Sequence, residues 1–209
     1  YGRDIYEYVG FDGQITIPIN PNPIPAFVQR TIASDDEWTT YIDEFGFTVR
    51  RLKAQAVTPS IYYYVKGSVN SREEWQAMKR RYDPHDIRRL PLTWGQELFD
   101  YYRTCGKPLN MRIYWGPGRG IKNGMMLGLE QFLAALYDDP AFIHDIFDFW
   151  ADFAIELWKP VLKEVKLDMV NIWEDGLAYK TSSLIGPETY RQFWQPYVKR
   201  VTDFLRSNG

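Results

Sequence analysis

Two amphipathic helical patterns that enclose one short apolar strand are the feature that most limits what this chain can fold into. Asp139-Pro140 opens the first pattern with an acidic N-cap and a proline at the first helical position. Apolar residues then recur every third or fourth position up to Val165. The second pattern begins at Gly186-Pro187 and runs to Leu205. A strand between two long helices predicts an α/β fold in which helices cover a parallel sheet.

The strand between these helices alternates in a way that assigns its two faces. Val170 and Ile172 fall on one face, which we expect to pack against helices, whereas Asn171, Trp173 and Asp175 fall on the other. Ligands of α/β proteins bind at the C-terminal ends of the strands. Asp175 is therefore the candidate catalytic carboxylate, with Asn171 and Trp173 as candidate substrate-binding residues.

A second strand, Leu109–Trp115, has the same two-faced pattern. Asn110, Arg112 and Tyr114 form its polar face. Two strands that each present a polar face predict a pocket lined by these side chains. An antiparallel sheet with one face in water is the alternative.

The loops after both strands supply the remaining candidates for binding a substrate. The glycine-rich loop Trp115–Gly120 lacks the spacing of a P-loop or of a dinucleotide-binding loop. We interpret it as a tight loop that approaches a ligand, with Trp115 in the pocket and Arg119 as an anion contact; an ordinary turn is the alternative. Tyr179 and Lys180, after the other strand, complete the candidate set.

The N-terminal half predicts further local structure. Trp38–Ile42 and Phe45–Leu52 read as a hairpin, and Ser71 with Glu74 forms a helix-capping pattern. His144 and Asp148, one helical turn apart, are expected to form a solvated pair without a catalytic role.

Composition excludes several classes of function. The 209 residues have a net charge of -2 without long runs of like charge, which argues against a nucleic-acid partner. No apolar run approaches the ~20 residues that span a bilayer. Cys105 is the single cysteine, so an intrachain disulfide is excluded and a reducing, cytoplasmic location is expected.

Glu174–Lys180 and the helical segment Leu184–Leu205 resemble the uroporphyrinogen decarboxylase (URO-D) superfamily. Its members have a strand that ends in an acidic residue, a short loop and a helix of the form L-[IS]-S-P-E-x-[FY]-x-x-F-x-x-P-Y-x-K-R. The matching residues are Pro187, Glu188, Phe193, Pro196, Tyr197 and Lys199. Gly186 replaces the usual serine. The resemblance is to the decarboxylase-like and corrinoid methyltransferase-like branch.

The resemblance implies a single (β/α)8 TIM-barrel domain of the URO-D type over residues 1–209, with an N-terminal hairpin extension and its site at the C-terminal strand ends. Because such a barrel usually takes ~250 residues, we expect it to be incomplete in this chain, with its C-terminal strands missing.

The resemblance also implies an activity. The leading hypothesis is a zinc-dependent methyltransferase that acts with a corrinoid protein and a thiol, in which Asp175, Asn171 and Tyr179 shape the pocket. The family's zinc ligands, a His-x-Cys pair and a later Cys, do not occur in this sequence and are expected beyond Gly209. A homodimer is a further expectation.

Two alternatives stay open within the resemblance. The first is a cofactor-free uroporphyrinogen decarboxylase, a lyase of tetrapyrrole biosynthesis, in which Asp175 stabilises a protonated pyrrole and Arg112 or Arg119 binds carboxylates. The family's arginine-rich N-terminal motif and the tyrosine after the Gly-Pro loop are absent here, which counts against it. The second is a non-catalytic tetrapyrrole-binding barrel.

Outside the family, the aromatic content also permits a glycoside hydrolase, but only the adjacent Glu174 and Asp175 are visible as its carboxylates.

Overall fold

The computed structural model describes residues 5–55, 63–114, 125–173 and 178–208. The strands are β1 (Ile15–Thr16), β2 (Arg30–Ser34), β3 (Trp38–Ile42), β4 (Thr48–Leu52), β5 (Tyr63–Lys66), β6 (Leu109–Tyr114), β7 (Met169–Trp173), β8 (Ala178–Tyr179) and β9 (Ser182–Ser183). The helices are α1 (Ile5–Val9), α2 (Arg72–Lys79), α3 (Gln96–Thr104), α4 (Leu129–Asp138), α5 (Pro140–Glu164), α6 (Pro187–Phe193) and α7 (Gln195–Ser207).

A three-stranded parallel sheet with the order β1-β6-β7 forms the centre of the fold. Ile15 pairs with Leu109, and Met111 pairs with Val170. The predicted parallel arrangement is confirmed, and the antiparallel alternative is wrong for these strands. The described strands do not close into a barrel, so the eight-fold barrel stays a prediction.

Helix α5 contributes the largest part of the core and contacts α4, α6 and α7. The Asp139 side chain accepts a hydrogen bond from the Phe142 N–H at 3.1 Å, and Pro140 occupies the first turn, as predicted. The buried side chains of α5 are Phe142, Ile143, Ile146, Phe147, Trp150, Ala151, Phe153, Ala154, Leu157, Trp158 and Val161. Full burial of one large apolar side chain is worth about 1.5–3 kcal/mol, so this face fixes the helix in the core.

The last predicted helix is divided into α6 and α7. Trp194 lies between them, and Pro196 occupies the first turn of α7. A proline inside a helix lacks the N–H that would bond to the preceding turn, and its ring clashes with a carbonyl there. The break therefore occurs where the proline stands, and Trp194, 1% exposed, fills the junction.

A four-stranded antiparallel sheet with the order β2-β3-β4-β5 is inserted between β1 and α2. The predicted hairpin is confirmed as β3 and β4, which pair from Trp38–Leu52 to Ile42–Thr48. Its turn is capped by Asp43, whose Oδ1 accepts the N–H groups of Phe45 and Phe47. Strands β2 and β5 extend this hairpin into a sheet.

One predicted pair is not formed. The His144 Nδ1 lies 2.8 Å from the Tyr197 hydroxyl, and the imidazole stacks on the Phe193 ring. The Asp148 carboxylate instead accepts a hydrogen bond from Arg200 at 2.8 Å. Helix α7 supplies both partners, so a contact between helices replaces the expected contact within α5. In the part of the chain described, no helix has both the length and the apolar content that crossing a membrane requires.

Candidate functional site

The candidate site lies where the parallel strands end. Strands β1, β6 and β7 run in the same direction, so the segments that follow them leave from one edge of the sheet. Three predicted residues, Trp115, Arg119 and Asp175, lie outside the described residues. The described part of the site is therefore the polar face of the sheet and the loop after β1.

The strand register groups the predicted residues on one face. Thr16 pairs with Asn110, and Arg112 pairs with Asn171. Residues paired directly across parallel strands project to the same side, and every second residue shares that side. By the same backbone register, Tyr114 pairs with Trp173 in the next row towards the strand ends. The two polar faces predicted separately thus form one surface.

The opposite face of the sheet is apolar, as predicted, and it is buried on β6, whereas Val170 and Ile172 on β7 are only half-buried. Leu109 and Met111 are 4% and 0% exposed. Asp168 fixes the beginning of both strands, because its Oδ2 accepts the Leu109 N–H at 2.8 Å and its own N–H donates to the Leu109 carbonyl at 3.0 Å. This two-way contact between β6 and the start of β7 explains why Arg112 and Asn171 meet in register.

The polar face combines an exposed cation with a buried amide. Arg112 and Asn171 are exposed, whereas Asn110 is 1% exposed. The Asn110 Nδ2 donates weakly to the Thr16 Oγ1 at 3.4 Å, and its Oδ1 is buried without a partner among the described residues. A buried amide oxygen without a donor is costly. This surface can therefore bind an anionic group at Arg112 and accept a hydrogen bond at Asn110.

The loop after β1 contributes residues that the sequence analysis missed. Asn20 and Asn22 lie in this loop, and their backbone carbonyls accept hydrogen bonds from the Arg89 Nη1 at 3.0 and 2.8 Å. The Asn20 N–H donates to the Arg89 carbonyl at 2.8 Å. Arg89 itself is 1% exposed. Its guanidinium therefore holds the loop against the core. Because Arg89 and Asn20 are 69 positions apart, no local sequence pattern predicts this contact.

Lys180 lies in a short hairpin that follows β7 along the chain. Strands β8 and β9 pair with Tyr179 opposite Ser182, and the exposed Lys180 occupies the turn between them. The sequence predicts a loop at this position. The structure gives Tyr179 and Lys180 a defined backbone position but does not test their predicted role in binding.

A separate recess of about 370 Å³ lies between β5 and the beginning of α4. It is lined by side chains and backbone that include Tyr64, Lys66, Asn70 and Gln131. Gly67 lies at its wall, in close contact with the backbone of Leu127. The recess is small enough for one compact ligand.

The residues that most often bind zinc do not gather in the described part of the chain. Cys105 lies at the end of α3, where its Sγ is 3.5 Å from the Tyr102 carbonyl. This position precedes β6, at the opposite end of the strand from the candidate site. Among the residues described, no group of three His, Cys, Asp or Glu could hold a metal ion. These residues do not fit a zinc site.

Comparison with known proteins gives one match. The family model of uroporphyrinogen decarboxylase (URO-D) matches residues 121–209. That segment contains α4 to α7, β7 and the hairpin of β8 and β9. No curated protein and no solved structure matches the chain.

Proposed function

We propose that this chain forms the site of a URO-D-type barrel enzyme, because residues 121–209 match the family model of uroporphyrinogen decarboxylase (URO-D). The reaction we propose is transfer of a methyl group between a corrinoid protein and a thiol. The polar face at Arg112 and Asn171 binds the small-molecule partner, and Asp175 completes the pocket with Tyr179.

The composition of the loop after β1 favours methyl transfer over uroporphyrinogen decarboxylation. Residues 17–29 contain no arginine or lysine, and the first polar residues after β1 are Asn20 and Asn22. Binding the several carboxylates of uroporphyrinogen calls for several cations. Arg112 is the cation on the polar face of the described strands. One guanidinium among the described residues of this face supports a ligand with one anionic group, such as an acidic thiol.

The bond changes of this reaction balance without an added reductant. The thiolate sulfur forms a bond to the methyl carbon, and the electron pair of the cobalt–carbon bond stays with the cobalt. A zinc ion, whose ligands would come from outside the described residues, would favour the thiolate by lowering the pKa of a bound thiol. The chain's own contribution is to orient the anionic end of the ligand at Arg112 and to accept a hydrogen bond at Asn110.

Uroporphyrinogen decarboxylation is the second candidate. It is supported by the exposed guanidinium of Arg112 on the polar face, which could bind one carboxylate of a pyrrole. Asp175 would then stabilise the protonated pyrrole, and no metal would take part.

Metal content and two assays on the full natural protein separate these reactions. We expect about one zinc per chain and methyl transfer from methylcobalamin to a small acidic thiol, followed by the change in the corrinoid absorption spectrum. Absence of zinc together with turnover of uroporphyrinogen would establish the decarboxylase. Absence of both activities, with retained binding of a tetrapyrrole, would establish a binding protein.

A substitution at the polar face tests the role of Arg112. Arg112→Ala should raise the KM for the anionic ligand by about 10-fold to 100-fold, because a charge-assisted hydrogen bond is worth about 1.5–3 kcal/mol. Arg206→Ala is the matched control, since Arg206 is an exposed arginine near the end of α7. Equal KM values for Arg112→Ala and the control would remove Arg112 from the site.

A further inference from the structure

The loop between β1 and β2 has contacts along its whole length, and they come from two different parts of the chain. Arg89 donates to the carbonyls of its first half, at Asn20 and Asn22. The second half, residues 23–29, contacts Arg81 and the hairpin turn 43–46 of the inserted sheet. We call residues 23–29 the distal half of the loop.

Arg81 lies directly after α2 and contacts the distal half in three ways. Its Nη1 donates to the Pro25 carbonyl at 2.5 Å, and its guanidinium carbon lies 4.1 Å from the centre of the Phe27 ring. Its own carbonyl accepts the Ile24 N–H at 2.8 Å. A planar guanidinium can stack on a ring and donate a directed hydrogen bond at the same time, which an ammonium group cannot. Arg81 therefore fixes both the position and the orientation of this segment.

The hairpin turn of the inserted sheet contacts the same segment. The Phe27 N–H donates to the Glu44 carbonyl at 3.0 Å, and the Gln29 Nε2 donates to the Glu44 carboxylate at 2.6 Å. The Phe27 ring lies so close to Gly46 that a Cβ at this glycine would be 3.1 Å from it. Gly46 also has a φ of +85°, a conformation that favours glycine. The inserted sheet thus reaches the loop through its turn, whereas its described strands do not pair with the parallel sheet.

The loop leaves β1 at the edge of the parallel sheet where the candidate site lies. β1 pairs in parallel with β6, and Thr16 pairs with Asn110 on the polar face. Loops that follow parallel strands form the ligand sites of α/β folds. The course of this loop therefore shapes the space beside the polar face, and the contacts of Arg81 act on that course.

We propose that Arg81 is a positioning residue for the ligand site and that, together with the turn at Glu44, it holds the distal half of the loop in the course that ligand binding requires. The inserted sheet and α2 then contribute to ligand affinity without touching the ligand. The base of this contact is fixed, because the Arg81 N–H donates at 2.9 Å to the carbonyl of Met78, which is buried at the end of α2. The inference rests on the proposed function in placing the ligand at the polar face of β6 and β7.

Hydrogen exchange and steady-state kinetics of Arg81→Ala in the full natural protein test the proposal. We expect faster exchange of the amides of residues 24–29. The KM for mercaptoacetate should rise by about 10-fold while kcat changes by less than about two-fold, because a displaced loop weakens binding more than it alters the reacting atoms. Arg81→Lys should recover part of the affinity, since a lysine can still donate to the Pro25 carbonyl.

Arg80→Ala is the matched control, because Arg80 is the preceding residue and is exposed. Its exchange rates and its KM should equal those of the natural protein. Circular dichroism and the thermal midpoint verify that all three variants are folded.

The possible outcomes separate this inference from the proposed reaction. Absence of methyl transfer in the natural protein would contradict that reaction, and the Kd for uroporphyrin, measured by porphyrin fluorescence, then takes the place of KM with the same expected rise. An affinity that Arg81→Ala leaves unchanged would overturn the positioning role, whether or not exchange becomes faster. Unchanged exchange of residues 24–29 would also overturn it, as would a natural protein that binds neither probe.

Discussion

The Trp75 indole N–H donates a hydrogen bond of 2.6 Å to the Asp145 Oδ2, across 70 positions of the chain. Trp75 is completely buried, and Lys79 donates to the same carboxylate at 2.8 and 2.9 Å. The contact joins α2 to α5 and thereby anchors the end of the inserted antiparallel sheet to the core. It is a polar link inside an aromatic cluster, where Phe149 packs edge-on against Trp75.

Asp145→Ala should lower the free energy of unfolding by about 1–3 kcal/mol, because the buried indole N–H loses its acceptor. Urea unfolding followed by tryptophan fluorescence measures the change. Asp203→Ala is the matched control, since Asp203 forms only exposed pairs within α7. The control should cost less than about 1 kcal/mol. Equal losses of unfolding free energy in the two variants would show that the Trp75–Asp145 hydrogen bond stabilises the fold no more than an exposed ion pair does.

Arg89→Leu should destabilise the chain by about 3 kcal/mol or more. The guanidinium donates to the backbone carbonyls of Asn20, Asn22, Arg81 and Asp83, and the substitution leaves these groups without donors. The neighbouring Arg88 is 63% exposed and pairs locally with Asp86.

Arg88→Leu is therefore a sequence-adjacent control with an expected change of about 0–1 kcal/mol. Limited proteolysis should also cleave the loop at residues 20–25 faster in Arg89→Leu than in Arg88→Leu. Unchanged cleavage of that loop would contradict the role assigned to Arg89.

Asp43 should make stability depend on pH. Burial raises the pKa of its carboxyl group to about 6, although the N–H groups of Phe47 and Phe45 act in the opposite direction. The unfolded pKa is about 3.9, so folding favours the protonated form. The stabilisation is fully present below about pH 4 and is lost as the pH rises through about 6. Because the group is partly exposed, the change is on the order of 1–2 kcal/mol.

Asp43→Asn isolates this contribution. The asparagine keeps an Oδ1 that accepts the Phe45 and Phe47 N–H groups, but it does not ionise. The free energy of unfolding of the variant minus that of the natural chain should therefore increase between pH 4 and pH 8. Denaturant titrations at several pH values measure it, and a difference that stays constant with pH would exclude Asp43 as the source.

Gly67→Ala should be among the most damaging single-methyl changes in the chain. A Cβ at this position would lie 2.2 Å from the Leu127 carbonyl carbon and 2.3 Å from the Met126 carbonyl oxygen. Since backbone cannot rotate away as a side chain can, we expect a loss of about 3 kcal/mol or more. Gly95→Ala, which would meet no atom within 4 Å, is the control. Similar thermal midpoints for the two variants would show that this contact relaxes easily.

The helices were predictable because their signals are local. Asp139 and Pro140 begin α5 as expected, and the Ser71 hydroxyl accepts the Glu74 N–H at 3.2 Å as the capping pattern predicts. The alternation of Leu109 and Met111 with Asn110 and Arg112 likewise assigned the faces of β6, because side chains of a strand alternate whatever it pairs with.

Strands β2 and β5 were less predictable, for a physical reason. β2 is exposed on both sides, so its sequence has no buried face to encode as an alternation. β5 is interrupted by a register shift against β4. Both segments are strands because β3 and β4 form backbone hydrogen bonds with them. Those hydrogen bonds exist only in the assembled sheet, so the local sequence does not encode them. The partner of His144 was mispredicted for the same kind of reason, since Tyr197 is 53 positions away.

The sequence by itself determined where α5 begins, the two-faced strands and the residues of 121–209 that match the URO-D family model. These depend on caps, prolines and periodicity, which act over a few residues. Only the tertiary structure decided that Arg112 lies beside Asn171 and that Arg89 holds the loop after β1. Such contacts join segments 59 to 69 positions apart, and their free energy appears only when the core brings those segments together.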